Sequence, residues 1–502
     1  MLPSASQYYF RHKVLEHFGT LGHHAPMAEK LPEIIQGGMG IGVSNWVLAR
    51  EVSRQGQLGV ISGTAINSVL VRRLQDGDKD ESQRNALSAF PFPEVAQKIL
   101  TDYFIPRGKA PETPYKRAGM FSLKSAMNLL QLNVAASFCE VWLAKQGHSH
   151  PVGINLLEKI QLPNLSALYG AMLAGVDVVI MGAGIPREIP GCLDLFARNQ
   201  KARLKIPVEG SSEDHWTEFD PQEIFPQTQL PDLHRPLFFP IVSSSVLAAS
   251  LAKKSTGRVD GFVVEGPLAG GHNAPPRGPL KLNDLGEPIY GERDIVDFEA
   301  LKQLGLPFWI AGDYATPEKL KLAKSLGAQG VQVGTAFAFA SESGLRPDLR
   351  EQVLKLIQKK DFPEHGFVFT DPRSSPTGFP FKAVRLKGTL SETSLYEQRQ
   401  RICDLGYLRH AYLKSDGTLG QRCPAEPVKD YVAKGGLKQD TVGRKCLCNA
   451  LMADIGVGQI QKWGHEQRML TAGDDLNNLG RFLSQQQHYS AADVLSYLLA
   501  NN

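Results

Sequence analysis

The chain has 502 residues, more than one hydrophobic core usually supports, so one large domain with a substantial appendage, or two domains, is expected. A hydrophobic content of 42%, a charged content of 21%, 48 glycines and 32 prolines describe a globular protein with many ordered turns rather than a disordered one. A formal net charge of +4 without a Lys/Arg block argues against a nucleic-acid footprint, and no run of about 18 or more apolar residues suggests a membrane span, so an unanchored cytoplasmic protein is expected.

The first thirty residues, beginning MLPSASQYYFRHKVLEHFG, have no continuous apolar stretch of the signal-peptide kind and read as an N-terminal arm. From about 31 onward a unit repeats: a short Val/Ile-rich run, a Gly-rich turn, then a helical stretch. Eight such runs fall near 33–36, 58–62, 151–155, 176–181, 237–243, 260–265, 307–311 and 329–333. Runs such as VDVVIMG and DGFVVEG are almost wholly apolar, as expected of parallel strands covered on both faces. Eight parallel strands with crossover helices predict an α/β fold, a (β/α)8 TIM barrel over 31–340. Helix starts fit this frame: Ser44 is placed to cap a helix from Asn45 to Gln55, and Thr316-Pro317 opens another over 317–326.

Two polar, proline-bearing insertions, at about 72–125 and 200–232, interrupt the repeat where loops commonly cover an active site. Beyond 341 the repeat ends. Residues 341–502 read as a mainly helical C-terminal extension, with helices over 346–359 and 481–500 around an irregular middle.

In such barrels chemistry sits at the C-terminal ends of the strands. The first strand is followed by Gln36-Gly37-Gly38-Met39-Gly40, whose glycines let a flat ring or a phosphate approach the backbone but do not fit the GxGxxG spacing of a dinucleotide fold. Asn155 offers an amide at the end of the third strand. After the sixth comes Glu265-Gly266-Pro267-Leu268-Ala269-Gly270-Gly271-His272, placing an imidazole at the mouth as acid, base or anion donor. The last two turns, Ala311-Gly312-Asp313 and Val333-Gly334-Thr335, lie where barrels bind phosphate on backbone N–H groups.

The turn IIQGGMG, the segment EGPLAGGH and the pair AGD and VGT resemble the FMN-dependent nitronate monooxygenases (2-nitropropane dioxygenases). They are equally similar to FMN-type enoyl-acyl-carrier-protein reductases and to the enoyl reductase of polyunsaturated fatty acid synthases. The likeness covers the barrel, and SSPTGFPFKAV at 374–384 also looks familial. It implies FMN as cofactor, with Gln36, Gly37, Gly38 and Met39 along its ring and ribityl chain and Asn155 and Glu265 at its polar edge. Gly270 and Gly271 would admit it, Gly312, Asp313, Gly334 and Thr335 would hold its phosphate, and His272 would face the substrate. The chain departs from the resemblance where Asn273-Ala274-Pro275-Pro276-Arg277 follows the histidine, and Arg277 could add positive charge for an anionic substrate. Two activities follow as expectations: oxidation of a nitronate by O2, or reduction of an enoyl thioester by NAD(P)H, with acyl carrier protein as a partner. A flavin-binding module without turnover is the third.

Weaker signals carry less. His23-His24 and His148-Ser149-His150 read as solvated loops. Of six cysteines, Cys403, Cys423, Cys446 and Cys448 cluster late in the chain and could supply four thiolates to zinc or iron–sulfur, but their spacing is irregular. The reading taken is buried, inert packing cysteines and no metal.

Overall fold

The computed structural model describes residues 31–226, 229–483 and 487–500. The expected N-terminal arm, with His23 and His24, lies outside them. Eight parallel strands occupy the eight expected positions: β1 (Ile34–Gln36), β2 (Gly59–Ser62), β3 (Val152–Leu157), β4 (Val178–Gly182), β5 (Leu237–Val242), β6 (Phe262–Glu265), β7 (Phe308–Ala311) and β8 (Gly330–Val333). In the sheet β1 neighbours β8, and the order then runs back through β7, β6, β5, β4 and β3 to β2. A parallel bridge between Ile35 and Leu58 closes it: Gln36 N–H donates to Leu58 O at 2.9 Å and Leu58 N–H to Ile34 O at 3.1 Å. The fold is the expected (β/α)8 barrel.

Strand alternation divides the core in two. Val178 and Ile180 join Ile35, Leu58, Val60, Phe239, Val263 and Trp309 in the barrel interior. Val179 and Met181, one residue out of phase, pack beneath the surrounding helices. Trp309 is fully buried, and its indole N–H donates to Pro32 O at 2.9 Å, so the largest interior side chain also satisfies its polar atom. The first crossover helix, Trp46–Arg54, is capped by Asn45, whose side chain accepts from Leu48 N–H, rather than by Ser44. Ser44 is unavailable because its hydroxyl is engaged with Gly37 O and Met39 N–H in the turn after β1. Thr316 does cap Pro317–Ser325.

The first insertion folds into helices Ser82–Ser88 and Pro93–Tyr103, and the second contains an antiparallel pair, Ala202–Ile206 with His215–Phe219. In the extension, helices Pro347–Gln358, Leu447–Asp454 and Ala491–Leu499 alternate with short strands. The last helix begins ten residues later than expected, because Ser490 forms a capping box with Asp493. One hairpin, Val368–Asp371 with Phe381–Val384, takes Gly271–His272 from the barrel as a third antiparallel strand. Another, His410–Leu413 with Leu419–Arg422, takes Val208–Glu209 from the second insertion. The extension is therefore stitched into the barrel's loops by backbone hydrogen bonds.

Replacing Trp309 by Ala empties the middle of the barrel and should cost about 3–5 kcal/mol. Urea denaturation checks this, and a loss below about 1 kcal/mol would show that the interior is not packed around that ring.

Candidate active site

All the turns singled out by sequence sit on one rim of the barrel, because parallel strands deliver their C-terminal ends to the same side. The turn after β1 starts with a residue whose side chain does not reach the rim. Gln36 is fully buried, its amide oxygen accepts from Val60 N–H at 3.0 Å, and its NH2 donates to Ser44 Oγ at 2.9 Å and to Val60 O at 3.1 Å. Gln36 thus staples β1 to β2 with its side-chain polar atoms spent within the sheet, which leaves its backbone as the part that can face the rim. Gly37 donates its N–H to Val333 O at 2.9 Å, which ties this turn to that of β8. Gly38 is required by close approach, since a Cβ there would lie 2.3 Å from Asn155 Cβ. Met39 packs beside Gly334, where a Cβ would meet the Met39 sulfur at 3.4 Å.

Asn155 lies within β3, which runs two residues further than expected. Its Nδ2 donates to Gly38 O at 2.9 Å, while its Oδ1 is buried without a partner. An orphaned acceptor of this kind calls for a donor that the protein itself does not supply. Glu265, the last residue of β6, is pushed up to about 8 by burial alone. Its carboxyl is therefore protonated at neutral pH and can donate a hydrogen bond.

His272 lies in the turn that follows Glu265 and β6. Its Nε2 lies 2.7 Å from Ser375 Oγ, and Ser375 Oγ lies 2.8 Å from Thr377 Oγ1. The ring stands edge-on to Phe381, with centroids 5.0 Å apart. Glu265 and His272 both keep some accessible surface because they line the mouth, yet protein walls them closely. Burial lowers His272 to about 4, so the imidazole is neutral at pH 7. The hydroxyl chain can run in either direction, so the other ring nitrogen can present a lone pair or an N–H. Arg277 does not point at this ring: its guanidinium donates to Arg293 O at 2.8 Å and Ser243 O at 3.4 Å.

The turns after β6 and β8 converge on a segment of the extension that the sequence reading passed over, Thr471-Ala472-Gly473-Asp474. Gly271 N–H donates to Thr471 Oγ1 at 3.0 Å, Asp474 N–H to Leu268 O at 3.1 Å, and Gly473 N–H to Thr335 Oγ1 at 2.8 Å. A Cβ on Gly270 would stand 2.8 Å from the Ala472 carbonyl carbon and Gly473 N. Gly312 (φ +97°) and Asp313 (φ +59°) are both left-handed. The Asp313 carboxylate pairs with Lys319, and Lys382 Nζ lies 2.7 Å from Asp474 Oδ1. Thr335 already accepts one bond, but its hydroxyl proton is still available to an anion. Ser375, Thr377, Phe381 and Thr471–Asp474 are the residues sequence reasoning missed or left without a role. Only SSPTGFPFKAV gave a signal, and it named no contact.

Comparison with known proteins follows the same residues. Residues 225–361, from just before β5 to the helix after β8, match the family model described as nitronate monooxygenase. The resemblance to the nitronate monooxygenase family is borne out. A "Probable nitronate monooxygenase" of Bacillus subtilis (strain 168) is 33% identical over 115 residues, 23% of this chain and 31% of that protein. Its counterpart from Staphylococcus haemolyticus (strain JCSC1435) is 31% identical over 115 residues, 23% of this chain and 30% of that protein. The chain thus spans less than a third of the length of the curated relatives it matches. FabK from Thermotoga maritima aligns over 94% of this chain and 93% of its own at 14% identity, with a TM-score of 0.42. Nitroalkane oxidase from Streptomyces ansochromogenes aligns over 93% and 95% at 14%, with a TM-score of 0.44. The enoyl reductase domain of MlnA from Bacillus amyloliquefaciens aligns over 93% and 92% at 10%, with a TM-score of 0.42. The nitronate monooxygenase segment contains Glu265, His272, Gly312 and Thr335, whereas Gln36 to Met39, Asn155 and Ser375 lie outside it.

The two shifted groups set opposite pH limits on stability. His272, lowered from 6.5 to about 4, contributes fully above pH 6.5 and loses that contribution as pH falls through 4. Glu265, raised from 4.5 to about 8, contributes fully below pH 4.5 and loses it as pH rises through 8. The melting temperature of Glu265→Gln should therefore gain on that of the parent as pH is raised from 4.5 to 8. Parallel melting curves across that window would show that the carboxyl is not held protonated.

Proposed function

We propose that this chain is an FMN-dependent oxidoreductase that oxidatively denitrifies alkyl nitronates with O2, the barrel 31–340 forming the catalytic unit and the extension completing its mouth. The observation that carries this reading is the neutral His272 imidazole, held by Ser375 and edge-on to Phe381 inside a segment that matches the nitronate monooxygenase family. The residues around it suit a flavin. Asn155 Oδ1 is an unpartnered buried acceptor, protonated Glu265 is a donor, and Thr335 has a hydroxyl proton to give. Bound there, FMN would supply the electron acceptance that no protein side chain provides.

The chain's own residues then have defined tasks. A nitronate is already an anion, so it needs orientation and a donor rather than proton abstraction. His272 supplies that donor as a neutral N–H, with the Ser375–Thr377 hydroxyl pair fixing the ring. Phe381 keeps one side of the imidazole dry, which strengthens a hydrogen bond to an anionic oxygen. The substrate is a small molecule, and no nucleic acid or membrane partner is invoked.

One feature favours the second reading, reduction of an enoyl thioester with NAD(P)H. The excursion that begins beyond His272 exposes Leu280, Leu282, Leu285 and Ile289, an apolar surface fit for an acyl chain. The same excursion carries Arg277, Lys281 and Arg293 against Asp284, Glu287, Glu292, Asp294 and Asp297, so it is not the cationic face that would attract an acyl carrier protein.

The purified chain should show a flavin spectrum, with or without added FMN, and propyl-2-nitronate added anaerobically should bleach it. Rapid bleaching by NADPH or NADH, restored by an enoyl thioester, would transfer the assignment to the reductase. Failure to bind FMN at all would end both. His272→Ala should retain flavin while turnover falls about 100-fold or more, the usual loss for an acid/base or donor group. Unchanged turnover would remove His272 from the chemistry.

A further inference from the structure

Lys382 stands on strand Phe381–Val384, one residue beyond the Phe381 that packs on the His272 ring. Successive side chains of a strand point to opposite faces, so Lys382 leaves the imidazole and turns to the other side of the sheet. Its register partner is Gly271. Its carbonyl accepts from Thr471 Oγ1 at 2.6 Å, and that oxygen in turn accepts from Gly271 N–H at 3.0 Å. The lysine side chain is only 5% exposed, and its Nζ donates to Asp474 Oδ1 at 2.7 Å.

Structural pairing does not account for this lysine. An ammonium carries three donors, and among the described residues Asp474 Oδ1 is the one acceptor it has. The Asp474 side chain keeps 38% of its surface, so its carboxylate is partly hydrated and does not need a buried partner. Taking an ammonium out of water for such a carboxylate returns little. A buried cation with two unspent donors calls for an anion that the protein does not supply.

The turn to which the flavin reading assigns a phosphate lies alongside. Gly473, next to Asp474, donates its N–H to Thr335 Oγ1 at 2.8 Å, and Asp474 N–H donates to Leu268 O at 3.1 Å. Three carboxylates border this part of the rim, each with its own cation: Asp313 with Lys319, Asp474 with Lys382 and Asp475 with Arg481. Asp313 also acts on Asp475. These charges cancel before any ligand binds. A phosphate monoester adds about two negative charges, against which backbone N–H groups offer only partial positive charge.

The three cations differ in what they can give. Arg481 is committed, its NH2 group donating to both Asp475 carboxylate oxygens at 2.8 and 2.6 Å. Lys319 is 38% exposed, so water and salt screen it. Lys382 is buried, and a charge there acts through a lower dielectric. We propose that Lys382 is the cation that neutralises the FMN phosphate, sharing its donors between Asp474 and the phosphate. This role rests on the flavin reading and gives the site a reason to hold FMN more tightly than riboflavin, which has no phosphate. Adjacent residues of one strand then serve both ends of the site, Phe381 the imidazole and Lys382 the phosphate.

The test is titration of the full chain, freed of flavin, with FMN and with riboflavin, followed by flavin fluorescence. Lys382→Met should raise the Kd of FMN about tenfold or more, as for a lost charge-assisted hydrogen bond, and leave that of riboflavin within about twofold. Asp474→Asn removes the competing carboxylate and should lower the Kd of FMN without changing that of riboflavin. Any result in which the two variants do not move the preference for FMN in opposite directions overturns the proposal, including the parallel loss of both flavins that a merely structural pair predicts. Where Lys382→Met does not fold, Asp474→Asn decides alone: a raised preference for FMN supports the role, and an unchanged or lowered one overturns it. A parent chain that binds neither flavin ends the proposed function and this inference together. A parent whose preference for FMN neither variant alters ends this inference alone.

Discussion

The structure depends first on closure of the sheet between β1 and β2. An open parallel sheet of eight strands would leave two edges unsatisfied, and a short β1 of three residues contributes few backbone hydrogen bonds. Gln36 makes up the difference: its side-chain amide bonds to both the N–H and the C=O of Val60, acting as an extra rung of the ladder. The same amide bonds Ser44 Oγ, which in turn holds Gly37 O and Met39 N–H. One buried glutamine thus reinforces the backbone bonds that close the barrel and holds the glycine turn at its rim, so the site inherits its geometry from the strand pairing.

A second constraint is that the rim is incomplete without the C-terminal extension. Ser375 holds the candidate catalytic imidazole, and Phe381 pairs in register with His272 while packing on its ring. Thr471 and Gly473 occupy donors and acceptors of the turns after β6 and β8. Apolar packing supports these contacts from beneath, since Leu470, Ala472, Leu476 and Leu479 belong to the main core. The glycines at 270 and 271 are explained by this as much as by a cofactor: Gly270 has no room for a side chain beside Ala472, and Gly271 turns with a φ of +78°.

Much of this was legible in the chain. The eight strands fall where Val/Ile runs lie between Gly turns, because a strand buried on both faces must be continuously apolar. Glu265, His272, Gly312 and Thr335 are legible as rim residues because a parallel barrel fixes which end of each strand carries function. That the Gln36 side chain bonds its own sheet was not legible, because a polar residue at a strand end looks the same whether its side chain faces a ligand or a neighbouring strand. The Ser44 cap failed for a related reason, its hydroxyl being claimed by a turn seven residues earlier in the chain.

The sequence by itself determined the periodic quantities: strand number, the parallel arrangement, the rim on which the turns gather and the family resemblance of those turns. These are local, because hydrophobic alternation and turn chemistry act over a few residues. Tertiary structure alone decided which side chains meet. His272 and Ser375 are 103 positions apart, Thr335 and Gly473 138, and Gly271 and Thr471 200. The late cysteines have irregular spacings, yet the fold gathers them around one cavity. No spacing rule reaches such distances, because long-range contacts are set by the summed packing of every element between them.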